Sequence, residues 1–267
     1  MTLPFAKLHG AKNDFILTPA SVAPPEGLPA LAIAICDRYT GIGADGWMLV
    51  DETPGDGYDA TIRLFNSDGS EAELSGNGTR CAAHLLLHDK PETNEIRIRT
   101  ASGIKHLRVI ERRGLEIEFE MNMGNVRVVQ LSTTVQGRDA VIVDPGNPQC
   151  AFPVEDFDFN WRAVGAATER DPLFPNRTNV SFVRKLDDHT IDVRFWERGA
   201  GETNSSGTGS TGAATAAVAR GMVTWPVTVV TPAGNLTLRS DDSIYLTGPA
   251  EVIAEGIWFY GKIESNE

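Results

Sequence analysis

The apolar and polar positions of residues 3–9 read as a strand, and after a turn the apolar run Phe15-Ile16-Leu17 with Thr18 reads as a second, short one. The proline-rich stretch 19–29 interrupts the pattern as a surface loop. Over 28–36 the apolar spacing becomes helical, with Leu31, Ile33 and Ile35 available for a buried face. Gly41-Ile42-Gly43-Ala44-Asp45-Gly46 then leads into a strand at 47–50. Its spacing is close to part of a dinucleotide fingerprint, but a strand follows where that motif needs a helix. Its glycines are therefore assigned to a tight turn with positive φ. Residues 58–65 alternate as a strand, and 77–88 form an apolar helix. Short strands at 95–100, 105–111, 115–121, 126–131 and 140–143 follow, dense enough for a small barrel or a strongly curved sheet.

The second half repeats this plan. Residues 161–168 are a helix candidate, 179–183 and 190–196 are strands, and 208–220 is an alanine-rich helix stopped by Gly221. Strands at 227–231, 236–239, 243–247 and 250–260 complete it. Ala213, Ala214, Ala216, Ala217 and Val218 leave that helix almost no polar face, so it belongs inside its own sheet. The predicted fold class is α/β (α+β), with two pseudo-symmetric domains, each a curved sheet or barrel around a buried apolar helix. The boundary is placed at 1–125 and 126–267, with the last strand able to cross back to the first.

The repeat is visible residue by residue. Sliding 63–83 onto 194–214 without a gap superposes Arg63 on Arg194, Glu71 on Glu202, Ser75-Gly76 on Ser206-Gly207, Gly78 on Gly209 and Ala82-Ala83 on Ala213-Ala214. A gapless match of this length marks a duplicated unit of strand, polar loop, glycine-flanked serine and helix. Function is expected where the two copies face each other.

Composition narrows the classes. The chain has 267 residues, 41% of them hydrophobic, enough for one large or two ordinary cores. A net charge of -12 argues against nucleic acid or an anionic membrane as partner. Cys36, Cys81 and Cys150 are widely spaced and odd in number, which excludes a disulfide framework or zinc cluster and fits a cytoplasmic location. No stretch has the length of a membrane-spanning helix, and no signal-like apolar run opens the chain.

The candidate chemistry sits at the two serines. Ser75 and Ser206 each precede a helix start, where unpaired N–H groups and a partial positive charge suit a carboxylate or phosphate. Each serine alone reads as an ordinary helix cap. The matched pair, with polar loops at 66–73 and 197–203 beside it, points to a ligand site.

Several motifs in order resemble one family: His9-Gly10 with Asn13-Asp14-Phe15; Gly41 to Gly46; Phe65-Asn66 with Asp68 to Ala72; Gly76-Asn77-Gly78 with Arg80-Cys81; Gly146-Asn147-Pro148; Arg177 to Val180; Glu197 to Thr203; and Gly207-Thr208-Gly209. Together they resemble diaminopimelate epimerase. The resemblance implies cofactor-free inversion at an amino-acid α-carbon, LL- to meso-diaminopimelate, in lysine and cell-wall synthesis. It also implies a small-molecule amino-acid substrate, no metal, and a homodimer. By position, Asn13, Asn66, Asn147, Asn179, Glu197 and Arg198 would hold the distal ammonium and carboxylate. Gly76, Asn77, Gly207 and Thr208 would supply N–H groups to the reacting carboxylate.

The family moves the proton with two cysteines, one aided by a histidine after Gly-Asn-Pro. This chain has Ser75 and Ser206 in place of the thiols and Gln149 in place of the histidine. Of the residues nearest the proton transfer, only Glu197 matches, and Cys81 reads as a small core residue. Ser75, Ser206, Glu197 and Gln149 are the catalytic candidates. Three readings stay open: an epimerase with serine relays, a lyase or isomerase doing other α-proton chemistry in the same cleft, and a non-catalytic amino-acid-binding protein.

Overall fold

The computed structural model describes residues 1–261. The chain divides into two compact units, Met1–Met121 with the segment from Pro249 onward, and Asn122–Gly248. In chain order the elements are β1 (Thr2–Gly10), β2 (Asn13–Pro19), α1 (Leu28–Cys36), β3 (Gly46–Asp51), β4 (Ala60–Asn66), β5 (Glu71–Ala72), α2 (Gly76–Leu87), β6 (Glu95–Thr100), β7 (Gly103–Arg113) and β8 (Glu116–Gly124). Then come β9 (Arg127–Val135), β10 (Arg138–Asp144), β11 (Gln149–Val154), α3 (Trp161–Glu169), β12 (Asn179–Lys185), β13 (Thr190–Glu197), β14 (Gly201–Thr203), α4 (Gly207–Ala219), β15 (Val227–Thr231), β16 (Gly234–Ser240) and β17 (Ile244–Phe259).

In the first unit the strands run β17, β1, β2, β3, β4, β6, β7, β8. The steps β2–β3 and β4–β6 are parallel and the others antiparallel. Strand β8 pairs with β17, which closes the eight strands into a barrel. In the second unit the order is β9, β10, β11, β12, β13, β15, β16, β17, with β11–β12 and β13–β15 parallel. The two orders have the same succession of parallel and antiparallel steps, so the repeat seen in the sequence is a repeat of topology.

Each sheet has a helix on both faces. In the first unit, a methyl group added at Gly78 of α2 would meet Met48 and Phe15, so these residues face α2. Their neighbours Ile16, Trp47 and Leu49 alternate to the other face and pack with Leu28, Leu31 and Ile35 of α1. In the second unit, Cys150, Phe152, Val180 and Phe182 pack against Trp161 of α3. Helix α4 is buried at every residue from Gly207 to Ala217 and touches β9 to β13, β15 and β16. Small side chains all round let strands approach it from every side, as its composition predicts.

Some local expectations are corrected. Ile33 is 51% exposed, because the buried stripe of α1 is Leu28, Leu31, Ala32, Ile35 and Cys36, and Ile33 points away from it. The segments 243–247 and 250–260 form one continuous strand, β17, since Gly248-Pro249 does not end the pairing. Strand β11 is an additional element, formed by parallel pairing with β12. The glycine-rich loop 41–46 caps α1: Ile42 and Gly43 donate N–H bonds to the Ile35 carbonyl, and Gly43 has φ +77°.

Candidate active site

Ser75 and Ser206 are the N-caps of α2 and α4, with extended φ of -126° and -143°. The Gly78 N–H donates to Ser75 Oγ at 3.1 Å and the Gly209 N–H to Ser206 Oγ at 3.0 Å. These bonds satisfy one N–H of each first turn. Gly76-Asn77 and Gly207-Thr208 are the first two residues of α2 and α4, where N–H groups precede the intrahelical hydrogen-bond ladder. The close approach of β1 at this point is set by Gly10, where a Cβ would lie 3.0 Å from the Asn77 carbonyl oxygen.

The two serines differ in their second partner. Ser206, 4% exposed, donates its hydroxyl proton to Glu197 Oε1 at 2.6 Å. A short bond between hydroxyl and carboxylate is charge-assisted and sets Glu197 to take that proton. The register shows what stands in the same place in the first unit. Trp196 pairs with Glu202 across β13 and β14, as Phe65 pairs with Glu71 across β4 and β5. The residue matching Glu197 is therefore Asn66, whose amide donates to Ser70 Oγ at 3.0 Å. A neutral amide cannot serve as a base for Ser75.

The other candidates of the second unit form a connected set. Asn179 donates its side-chain N–H to the Pro148 carbonyl at 3.2 Å and accepts the Arg198 backbone N–H at 2.9 Å. Arg198 Nη1 donates to the Asn176 carbonyl at 3.3 Å. Gln149, 1% exposed, donates to Asn147 Oδ1 at 2.9 Å, and its Oε1 has no hydrogen-bond partner among the described residues. In the first unit Asn77 donates to Asn13 Oδ1 at 3.1 Å, while Asn66 stays in its own turn.

Sequence reasoning misses Glu169, at the end of α3. It is 4% exposed, accepts from Trp196 Nε1 and Arg177 Nη1 at 2.9 and 3.1 Å, and takes the Gly199 N–H at 3.1 Å. It thereby ties down the segment that carries Glu197 and Arg198. Burial raises the Cys36, Cys81 and Cys150 thiols to about 12, so they are core groups and not thiolates. Among the described residues no group of three metal-ligating side chains occurs, and no helix is long and apolar enough to cross a membrane.

A duplicated sheet unit with a helix enclosed in each copy is a fold also seen in solved racemases and epimerases. A hydroxyproline epimerase from Agrobacterium vitis shares it at TM-score 0.73 and 14% identity, covering 96% of this chain and 92% of that one. Sequence similarity identifies the branch. The diaminopimelate epimerase profile matches residues 5–129 and 141–253. Diaminopimelate epimerases of Moorella thermoacetica and Pelotomaculum thermopropionicum are 37% and 35% identical, over 94% and 96% of this chain and 98% and 99% of theirs. The chain belongs to the diaminopimelate epimerase family and is an isomerase of the epimerase type.

Proposed function

We propose that the chain inverts the α-carbon of LL-diaminopimelate to give the meso isomer, as a step toward lysine and peptidoglycan, without pyridoxal phosphate or another cofactor. The observation that carries this reading is the Ser206–Glu197 bond of 2.6 Å at a buried helix start. In the reaction Ser206 Oγ takes the α-hydrogen as a proton while its own proton passes to Glu197. The electron pair of the broken C–H bond stays on the α-carbon and spreads into the adjoining carboxylate. N–H groups at a helix start, such as those of Gly76 and Asn77 or of Gly207 and Thr208, are of the kind that hold such a carboxylate. A proton returns to the other face of the carbon, a role the family resemblance gives to Ser75, which is half-buried and is replenished from solvent.

The family resemblance assigns Asn13, Asn66, Asn147, Asn179 and Arg198 to the distal ammonium and carboxylate, where a guanidinium can supply a paired contact. Gln149 cannot titrate, so its part is to orient Asn147. The absence of thiols makes the deprotonation slow, because a serine hydroxyl is a far weaker acid than a thiol of pKa ~8.5. The same reading gives a cytoplasmic location, which three free buried cysteines support, and no nucleic-acid partner, which the net charge of -12 supports; a homodimer follows from the family resemblance alone. Incubation with LL-diaminopimelate and chiral separation of the products tests it. Accumulation of the meso isomer in proportion to protein is expected; an LL pool that stays unchanged overturns it.

A further inference from the structure

Behind the start of α2 lies a hydrogen-bonded series with a single direction. Arg80 is fully buried. Its guanidinium donates to Asn77 Oδ1 at 2.6 Å, the Gly76 carbonyl at 3.3 Å and the Pro249 carbonyl at 3.2 Å. Asn77 Nδ2 donates onward to Asn13 Oδ1 at 3.1 Å, and Asn13 Nδ2 donates to Asp45 Oδ2 at 2.6 Å. A guanidinium only donates and a carboxylate only accepts, so the two charged ends fix which way both amides face. Bonds aligned head to tail also polarise one another.

Burial lowers the Arg80 guanidinium to about 10, which leaves it protonated at neutral pH. A full positive charge thus stands in the first turn of α2, where the helix already presents its positive pole. The second unit is built otherwise. In the repeat Arg80 matches Thr211, whose hydroxyl donates to the Gly207 carbonyl at 2.8 Å. The carboxylate of Glu197 faces the cap of α4 instead. One helix start is backed by a cation, and the other faces an anion.

We propose that Arg80 is a positioning residue that sets the α2 start, with its Gly76 and Asn77 N–H groups, to take a carboxylate, acting through Asn77, Asn13 and Asp45. This rests on the reading of the substrate as an amino acid. The test compares the wild type with Arg80→Lys, Arg80→Met and Asp45→Asn, each checked for native circular dichroism. Kd is measured for LL-diaminopimelate and for its diamide, together with KM and kcat. Arg80→Met is expected to weaken the diacid about tenfold and the diamide little, with KM moving more than kcat. Arg80→Lys recovers part of the loss, and Asp45→Asn, which keeps the guanidinium, shows a smaller one. Equal losses for diacid and diamide, or a diacid Kd within about twofold of wild type, overturn the proposal.

Wild-type protein that binds neither compound refutes the substrate reading separately. Acetate is then titrated against the Gly76 and Asn77 amide resonances. Shifts present in the wild type and lost in Arg80→Met, or in Asp45→Asn if Arg80→Met does not fold, sustain the assignment; shifts absent in the wild type overturn it.

Discussion

Replacing Glu197 by Gln tests the proton path at its best-defined bond. Gln keeps the size of the side chain and an acceptor oxygen for the Ser206 hydroxyl, which lies 2.6 Å from Oε1. It cannot take up the serine proton. A positioned base contributes about 10²–10⁴-fold to proton transfer, so α-hydrogen exchange should fall by that factor, about 3–5 kcal/mol on the barrier. The fold should change far less. A charge-assisted bond is worth about 1.5–3 kcal/mol and the amide retains part of it, which limits the loss to about 1 kcal/mol and a melting shift of a few degrees. The assay is the loss of the α-proton signal of LL-diaminopimelate in deuterated water, followed by NMR, beside a thermal melt. Glu197→Gln exchanging at more than a third of the wild-type rate would refute the Ser206–Glu197 path.

Three further predictions follow from other parts of the structure. Restoring thiols with Ser75→Cys and Ser206→Cys should raise turnover by about 10²–10⁴-fold, while weaker caps cost about 1 kcal/mol each, read as rate and melting temperature. Gly10→Ala should push on the Asn77 carbonyl, which a Cβ would approach to 3.0 Å, and raise KM more than it lowers the melting temperature. Burial lowers the pKa of His84, whose ring is fully enclosed and whose Nε2 donates to the Leu115 carbonyl at 2.9 Å. The unfolded chain then binds a proton that the folded one refuses, so stability is full above about pH 6.5 and falls as pH drops below it. Urea melts at pH 7.5 and 5.5 should show a larger loss in the wild type than in His84→Gln.

The parts of this protein legible in its sequence are those with local causes. Helix α4 declares itself through alanines on every face, and the duplication through a gapless match around Ser75 and Ser206. Strand β11 does not, because Pro145, Gly146 and Pro148 read as a loop and its identity comes from pairing with β12, about thirty residues on. Glu169 looks like a surface residue at a helix end, since Trp196 and Gly199, 27 and 30 residues away, are what bury and bind it. The Arg80 relay is similar: its residues stand in separate motifs, and only folding brings Asn13 to Asp45 and Asn77, 32 and 64 residues distant. The difference between Asn66 and Glu197 is plain in the aligned repeats, but its meaning depends on the register that makes them equivalent.

The most direct test of the account follows LL-diaminopimelate with the wild-type protein in deuterated water, measuring deuterium at the α-carbon and the LL-to-meso ratio in the same sample. Ser206 has a carboxylate to serve it and its match in the first unit has an amide in that place, so deuterium incorporation should run ahead of inversion while meso product still accumulates. No deuterium in either isomer, or loss of ammonia in place of inversion, would contradict it.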